Sequence, residues 1–352
     1  MKNLMEVATE EIRQTVRDAF ARLVKAGEFP NVSIPEFVIE VPAERTHGDF
    51  SANIAMAGAR TLKMAPRKSA ELLLNALQFE NTYLEHAEVA GPGFLNFFLA
   101  SSWYSDILAT IHEEGENYGR TNLGAGKKVM VEYVSANPTG PMHMGNARGG
   151  ALGDCLAALL EYAGYDVTRE FYVNDAGNQI AKFAASLEAR YFQLYKGEDA
   201  VSFPEEGYHG EDIRERAKEF ADQYGDRYLN VPEDERRKAL ATFGIERNVK
   251  KLHDDLLKYR IEYDVWFRES VLHQDGELDE TIALLKEKGA TYEKDGALWY
   301  AATRFGGEKD EVLIRANGIP TYFAADIAYH RNKFEKRGFE KVIDVWGADH
   351  HG

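Results

Sequence analysis

The 352-residue sequence predicts an α/β fold: a parallel sheet with flanking helices and a helical and hairpin insertion, preceded by a small α+β domain. Three observations carry this expectation. Val129 to Val134 reads as a buried strand, a helical pattern follows from about Asn146, and Val167 to Val173 reads as a second strand, an order that makes a right-handed βαβ unit. A Gly/Pro/Asn loop, Pro138 to Asn146, lies between the first strand and its helix, at the end where such sheets bind ligands. Ahead of both, residues 1–120 carry their own helix and strand signals.

Taken in order, Leu4, Val7, Ala8, Ile12, Val16, Ala19, Phe20 and Leu23 recur at three- and four-residue spacing and predict a helix. An extended Phe37 to Val41, the loop Thr46 to Phe50, a helix after Pro66 and the Gly91-Pro92-Gly93 turn into Phe94 to Leu99 complete the first domain. Tyr118 to Lys127 reads as linker, so the second domain is expected over 121–352. Its first helix is expected to bury Ala151, Leu152, Cys155, Leu156, Leu159, Leu160 and Ala163, with Gly164 as C-cap. Residues 195–302, highly charged and helical with an Asp295-Gly296 hairpin, read as an insertion, after which the core resumes with Val312 to Arg315, a helix from Tyr322 and a strand from Lys341.

Composition narrows the function classes. A hydrophobic content of 44% is enough for sizeable cores, and no apolar run reaches the roughly 18 residues of a membrane span. A soluble cytoplasmic monomer is expected. The single cysteine excludes an internal disulfide framework and a cysteine zinc cage. A formal charge of -16 argues against a general nucleic-acid coating while permitting a local basic surface.

The loop Pro138-Thr139-Gly140-Pro141-Met142-His143-Met144-Gly145-Asn146 is the sharpest chemical feature. At a strand-to-helix junction, His143 can donate to a phosphate, Gly145 admits an adenine to the backbone, and the helix start attracts anions. An ordinary connecting loop with an exposed histidine would read the same. The wider stretch Glu132-Tyr133-Val134-Ser135-Ala136-Asn137-Pro138 through Asn146-Ala147-Arg148-Gly149 resembles the first signature of arginyl-tRNA synthetases, which are class I synthetases with a Rossmann-like core. The resemblance implies that His143 and Asn146 stabilise the ATP α-phosphate while the arginine carboxylate attacks it, with His143, Met144, Gly145 and Asn146 as the HIGH-like motif. Asn146 departs from the family's usual second histidine: it can donate a hydrogen bond but carries no charge.

Thr321-Tyr322-Phe323-Ala324-Ala325-Asp326 resembles the family's arginine-reading helix, and Tyr322 and Asp326, four apart, share one face. The resemblance implies that Asp326 holds the guanidinium beside Tyr322, with Glu132 and Asn137 binding arginine from the other side; a bidentate carboxylate fork suits that planar cation. Without the resemblance the pair would be an ordinary polar helix edge. Gly347 to Gly352 invites a metal reading through His350, His351 and Asp349, but in the family this segment lies near adenosine, which assigns Gly347 and Asp349 to ATP and implies no structural zinc. Asn174 or Asp175 would cap the helix that follows them, and the resemblance places their loop on the rim of the site, with Gln179. Thr46 to Asn53 and Gly91 to Asn96 resemble the family's N-terminal domain, which contacts tRNA.

The activity implied is ATP-dependent formation of arginyl-adenylate, with Mg2+ on the phosphates, and transfer to tRNA(Arg). The chain ends before the Lys-Met-Ser-Lys-type loop and the anticodon-binding domain, so it is expected to bind arginine but to activate it poorly. Another class I synthetase, a small-molecule adenylyltransferase and a non-catalytic tRNA-binding or regulatory paralogue are the alternatives.

Overall fold

A computed structural model describes residues 3–347. The chain divides into two compact units, with the boundary between Arg120 and Thr121.

In the first unit, α1 (Leu4–Lys25) starts at Asn3, whose side chain accepts the Met5 and Glu6 N–H groups, and it buries Ala8, Ile12, Val16, Ala19 and Phe20. The chain continues through β1 (Ile39–Glu40), β2 (Phe50–Ala52), the short helices α2 (Ile54–Ala57) and α3 (Ala59–Leu62), α4 (Pro66–Ala76), β3 (Leu84–Ala90), β4 (Phe94–Leu99) and α5 (Ser101–Glu114). The strands form an antiparallel sheet in the order β1-β2-β4-β3. Gly48 sits at φ +84 where a Cβ would lie 2.7 Å from the Phe97 carbonyl oxygen, so the loop closes on β4 only with glycine there. Asn53, at the start of α2, makes no side-chain cap; its Oδ1 accepts the Val38 N–H.

The second unit begins with β5 (Lys128–Tyr133), α6 (Met144–Tyr162) and β6 (Asp166–Val173), then α7 (Asn178–Lys196), α8 (Glu211–Tyr224) and α9 (Glu233–Lys258). After these come β7 (Val265–Arg268), α10 (Glu269–Gln274), α11 (Glu277–Glu287), β8 (Thr291–Lys294), β9 (Ala297–Tyr300), β10 (Glu311–Ile314), α12 (Tyr322–Arg331) and β11 (Lys341–Val345). A parallel sheet runs β11-β5-β6-β7, and a separate antiparallel sheet runs β10-β9-β8.

This topology corrects the expected insertion. β7 lies inside 195–302, yet it is the edge strand of the parallel sheet, paired with β6 from Glu170↔Val265 to Val173↔Arg268. Residues Val312 to Arg315 do not resume the core; β10 pairs with β9 in the small sheet. The turn of the β8–β9 hairpin matches its sequence, with Asp295 at φ +52 and Gly296 at φ +74.

The expected face of α6 is corrected in part. Leu156 and Leu160 pack against the core of this unit, but the helix fully buries Gly150, Gly153 and Ala157, while Ala151, Leu152, Leu159 and Cys155 are exposed. A Cβ on Gly153 would lie 2.2 Å from the Tyr133 ring, and one on Gly150 2.9 Å from Ile261, so the small residues let the helix approach β5 more closely than leucines could. The C-cap is Ala163, and Gly164 follows it at φ +85.

Candidate active site at the carboxyl ends of the parallel sheet

Successive strands β6 and β7 are added on one side of β5 and β11 on the other, so the winding reverses between β5 and β11. That reversal opens a crevice at the carboxyl ends of these two strands, where ligands of such sheets bind. Directly after β5 the backbone takes positive φ at Val134 (+70) and Ser135 (+40). A β-branched residue in that region is strained, and the strain falls on the turn that leads to the His143 loop.

His143 is the N-cap of α6. Its Nδ1 accepts the Gly145 N–H at 3.1 Å, and Asn146 Oδ1 accepts the His143 N–H at 3.1 Å, a reciprocal capping box. Because Nδ1 accepts, the ring proton resides on Nε2, leaving a donor beside the positive end of a 19-residue helix. With its oxygen turned into the cap, Asn146 presents its NH2 group as a donor to a ligand. Gly145 is required by the histidine itself, since a Cβ there would lie 2.9 Å from His143 Cε1 and 3.0 Å from Nδ1. Met144 of the same motif is 73% exposed.

Glu132 sits differently from the open fork expected of it. In parallel register, Asp344 on β11, Glu132 on β5 and Glu170 on β6 are neighbours across the sheet and share one face. The helix that covers this face is α12, continued by a π-helical turn, Asn332–Lys336. Lys333 Nζ lies 2.7 Å from Glu132 Oε2 and 2.9 Å from Asp344 Oδ1. Arg337 forks onto Glu170, and the Tyr329 hydroxyl reaches Glu132 Oε2 at 2.9 Å and also hydrogen-bonds Glu170. Ser135 Oγ donates to Glu132 Oε1 at 2.8 Å. Glu132 is therefore buried at 3% exposure, its carboxylate engaged by its own protein.

At the other end of the helix Tyr322 and Asp326 are both exposed. A Cβ on Gly177, in the loop after β6, would lie 2.9 Å from the Tyr322 hydroxyl, so that loop and this ring pack closely. His330 joins the two ends: its Nδ1 lies 2.9 Å from the Asp326 carbonyl oxygen and 3.5 Å from Oδ1, and its Nε2 lies 3.3 Å from Asp344 Oδ2. Asp326 and then Asp344 push the imidazole up to about 10, against the opposing effect of burial. Burial alone would raise Asp344, but His330 and Lys333 outweigh it and hold the carboxyl below its ordinary range. The hydroxyls of Tyr329 and Tyr172 are raised, first by burial and then by nearby carboxylates.

Asp175 does not cap its own helix. Its two oxygens accept the Ser270 N–H and Oγ–H, each at 2.9 Å, and so secure the start of α10. A cavity of about 420 Å³ opens between this loop, Glu269 and His273 of α10, Arg315 and Tyr322. Asn137 is exposed in the loop after β5, Gln179 is half-buried, and Gly347 is exposed just past β11. Asp349, His350 and His351 lie outside the described residues. Sequence reasoning passed over Glu170, Tyr329, His330, Lys333, Arg337 and Asp344, although the spacing of Asp326, His330 and Lys333 along one helix face was a readable signal.

A sheet wound both ways from β5, with a histidine at a helix start by the switch point and a helix carrying Asp326 and His330 across the acidic row of the adjoining strands, defines a Rossmann-like α/β domain. The chain belongs to the class I tRNA synthetases for arginine: the family described as tRNA synthetases class I (R), catalytic domain, matches residues 108–351, and the arginyl tRNA synthetase N terminal domain matches 9–99. An arginine–tRNA ligase of Acetivibrio thermocellus is 56% identical over all of this chain and 62% of its own length. One of Caldanaerobacter subterraneus is 58% identical, again over 100% of this chain and 62% of the relative. The solved Thermus thermophilus arginyl-tRNA synthetase matches with a TM-score of 0.54 and 25% identity, covering 92% of this chain and 53% of that one. The chain thus spans about three-fifths of the length of the curated relatives it matches.

Proposed function

We propose that this chain binds L-arginine and ATP at the carboxyl ends of β5 and β11, and that within the complete synthetase it forms arginyl-adenylate and charges tRNA(Arg). Residues 121–352 supply the catalytic part and residues 1–120 a domain that contacts tRNA. The carrying observation is the charge of the face shared by α12 and the sheet. Within this group four carboxylates, Asp326, Glu132, Glu170 and Asp344, meet three cations, His330, Lys333 and Arg337, an excess of one carboxylate, and the exposed member, Asp326, stands one helical turn from the exposed Tyr322. One guanidinium restores neutrality.

Asp326 and Tyr322 hold the guanidinium, with the remaining acceptor site of Glu132 Oε1 and the exposed Asn137 beside it. His143 Nε2–H and the Asn146 amide donate to the α-phosphate as the arginine carboxylate oxygen attacks phosphorus and pyrophosphate departs, while the helix start stabilises the developing charge. Gly347 borders the adenosine. Mg2+ arrives on the ATP phosphates; among the described residues no group of three His, Cys, Asp or Glu side chains is placed to hold a metal. No helix among those residues is long and apolar enough to cross a membrane.

Calorimetric titration of L-arginine, with citrulline as control, tests the reading, because citrulline keeps the shape and loses the charge. Saturable binding of arginine, far weaker binding of citrulline, and loss of arginine binding in Asp326→Asn are expected. Equal binding of both, or of neither, refutes it.

A further inference from the structure

We propose that Lys333 is a positioning residue for amino-acid recognition: it turns the Glu132 carboxylate so that one oxygen, Oε1, faces the substrate and the other is held inward. The proposal rests on the arginine-binding reading given above.

Asp344, Glu132 and Glu170 stand side by side in register, and three such carboxylates on one sheet face repel one another unless a cation lies among them. Lys333 is that cation for two of them. Its Nζ bridges Glu132 Oε2 and Asp344 Oδ1, it is wholly buried at 0% exposure, and it lies 4.1 Å from the centre of the Tyr329 ring. A lysine is buried this completely only when its charge is met from several sides.

The geometry at Glu132 follows from this contact. A carboxylate has about four acceptor sites. Lys333 and Tyr329 both take Oε2, whereas among the described residues Oε1 receives only the Ser135 hydroxyl. The free site is consequently on Oε1, the oxygen tied to Ser135 in the turn that leads out of β5 toward the His143 loop. The Ser135 hydroxyl also accepts the Tyr172 N–H at 3.1 Å, which anchors this side to β6. Without Lys333 the carboxylate keeps the Ser135 and Tyr329 contacts but loses the charge that draws Oε2 inward. The π-helical turn contributes as well: the Arg337 N–H bonds back to the Asn332 carbonyl, and within that widened turn Lys333 meets Glu132 while Arg337 meets Glu170.

Two variants of the full chain test this. Lys333→Met removes the cation but strands two carboxylates and is prone to misfold; the double variant Lys333→Met with Asp344→Asn removes one positive and one negative charge, so the total charge of the site is kept. Arginine and citrulline are titrated into each by calorimetry, with near-ultraviolet circular dichroism as the fold control. A native-like spectrum in the double variant, an arginine Kd raised at least tenfold and a smaller ratio of arginine to citrulline affinity are expected. A folded double variant with an arginine Kd within twofold of wild type overturns the proposal. A double variant that unfolds shows a purely structural lysine and overturns it equally. A wild-type chain that binds no arginine overturns the functional reading, and this inference with it, before any variant is compared.

Discussion

Replacing Gly153 by alanine should unseat the helix that carries His143. The added Cβ would lie 2.2 Å from Tyr133 Cγ, 2.4 Å from its Cβ and 2.7 Å from Cδ1, against the roughly 3.5 Å or more that carbon atoms prefer. Tyr133 has little room to yield. It is 0% exposed, its strand β5 is paired on both sides, its ring centroid is 4.6 Å from that of Tyr263, and its carbonyl accepts the Tyr263 hydroxyl. Overpacking of this kind costs about 1–3 kcal/mol, and contact with a ring root and main-strand Cβ places this case near the top of that range. Alanine regains about 1 kcal/mol of helix propensity, so a net loss of about 2 kcal/mol is expected. Gly149 in the same helix is the control: a Cβ there meets nothing within 4 Å, and Gly149→Ala should stabilise by up to about 1 kcal/mol. Hydrogen exchange of the peptide spanning residues 128–133, measured in increasing urea, reports the stability of this unit separately from residues 1–120. If the two variants shift protection equally, or Gly153→Ala stays within about 0.5 kcal/mol of wild type, the close-approach argument is wrong.

Other outcomes follow from the same geometry. Gly145→Ala should leave stability nearly unchanged, because a weakened cap of about 1 kcal/mol is offset by helix propensity, yet weaken ATP binding by displacing the His143 ring; equal ATP affinity by calorimetry would count against His143 acting at the phosphate. His330 is raised in the folded chain to about 10, so its contribution is fully present below its unfolded pKa near 6.5 and is lost as pH rises through about 10. Wild type should therefore exceed His330→Gln most at or below about pH 6.5, the gap closing through pH 10, and an NMR midpoint for His330 near 6.5 would contradict this. Asp175→Ala should destabilise by about 1–3 kcal/mol, since the Ser270 N–H and hydroxyl both lose their acceptor; an unchanged urea midpoint would show that water replaces it. Cys155, being exposed, should react promptly and completely with a thiol reagent in the native chain, and slow reaction would place it back in the core.

The sequence by itself determined the local order of elements and the chemistry at their junctions. Strand, loop, helix and strand from Val129 to Val173 were legible because period-two and helical patterns and glycine-rich turns act over a few residues. His143 at a helix start and the placing of Tyr322 and Asp326 four apart on one helix were legible for the same reason. What only the tertiary structure decided was long-range. Whether Val265–Arg268 belongs to an insertion or to the sheet edge depends on pairing with β6, almost a hundred residues away in sequence, and a short apolar run carries no mark of its partner. Periodicity showed that α6 has apolar residues but not which side meets β5; close approach selected Gly150 and Gly153 and left Leu152 and Leu159 outside. The burial of Glu132 and the role of Lys333 depend on register, because a slip of one residue in a parallel pairing would turn a carboxylate to the opposite face and dissolve the aligned row of Asp344, Glu132 and Glu170.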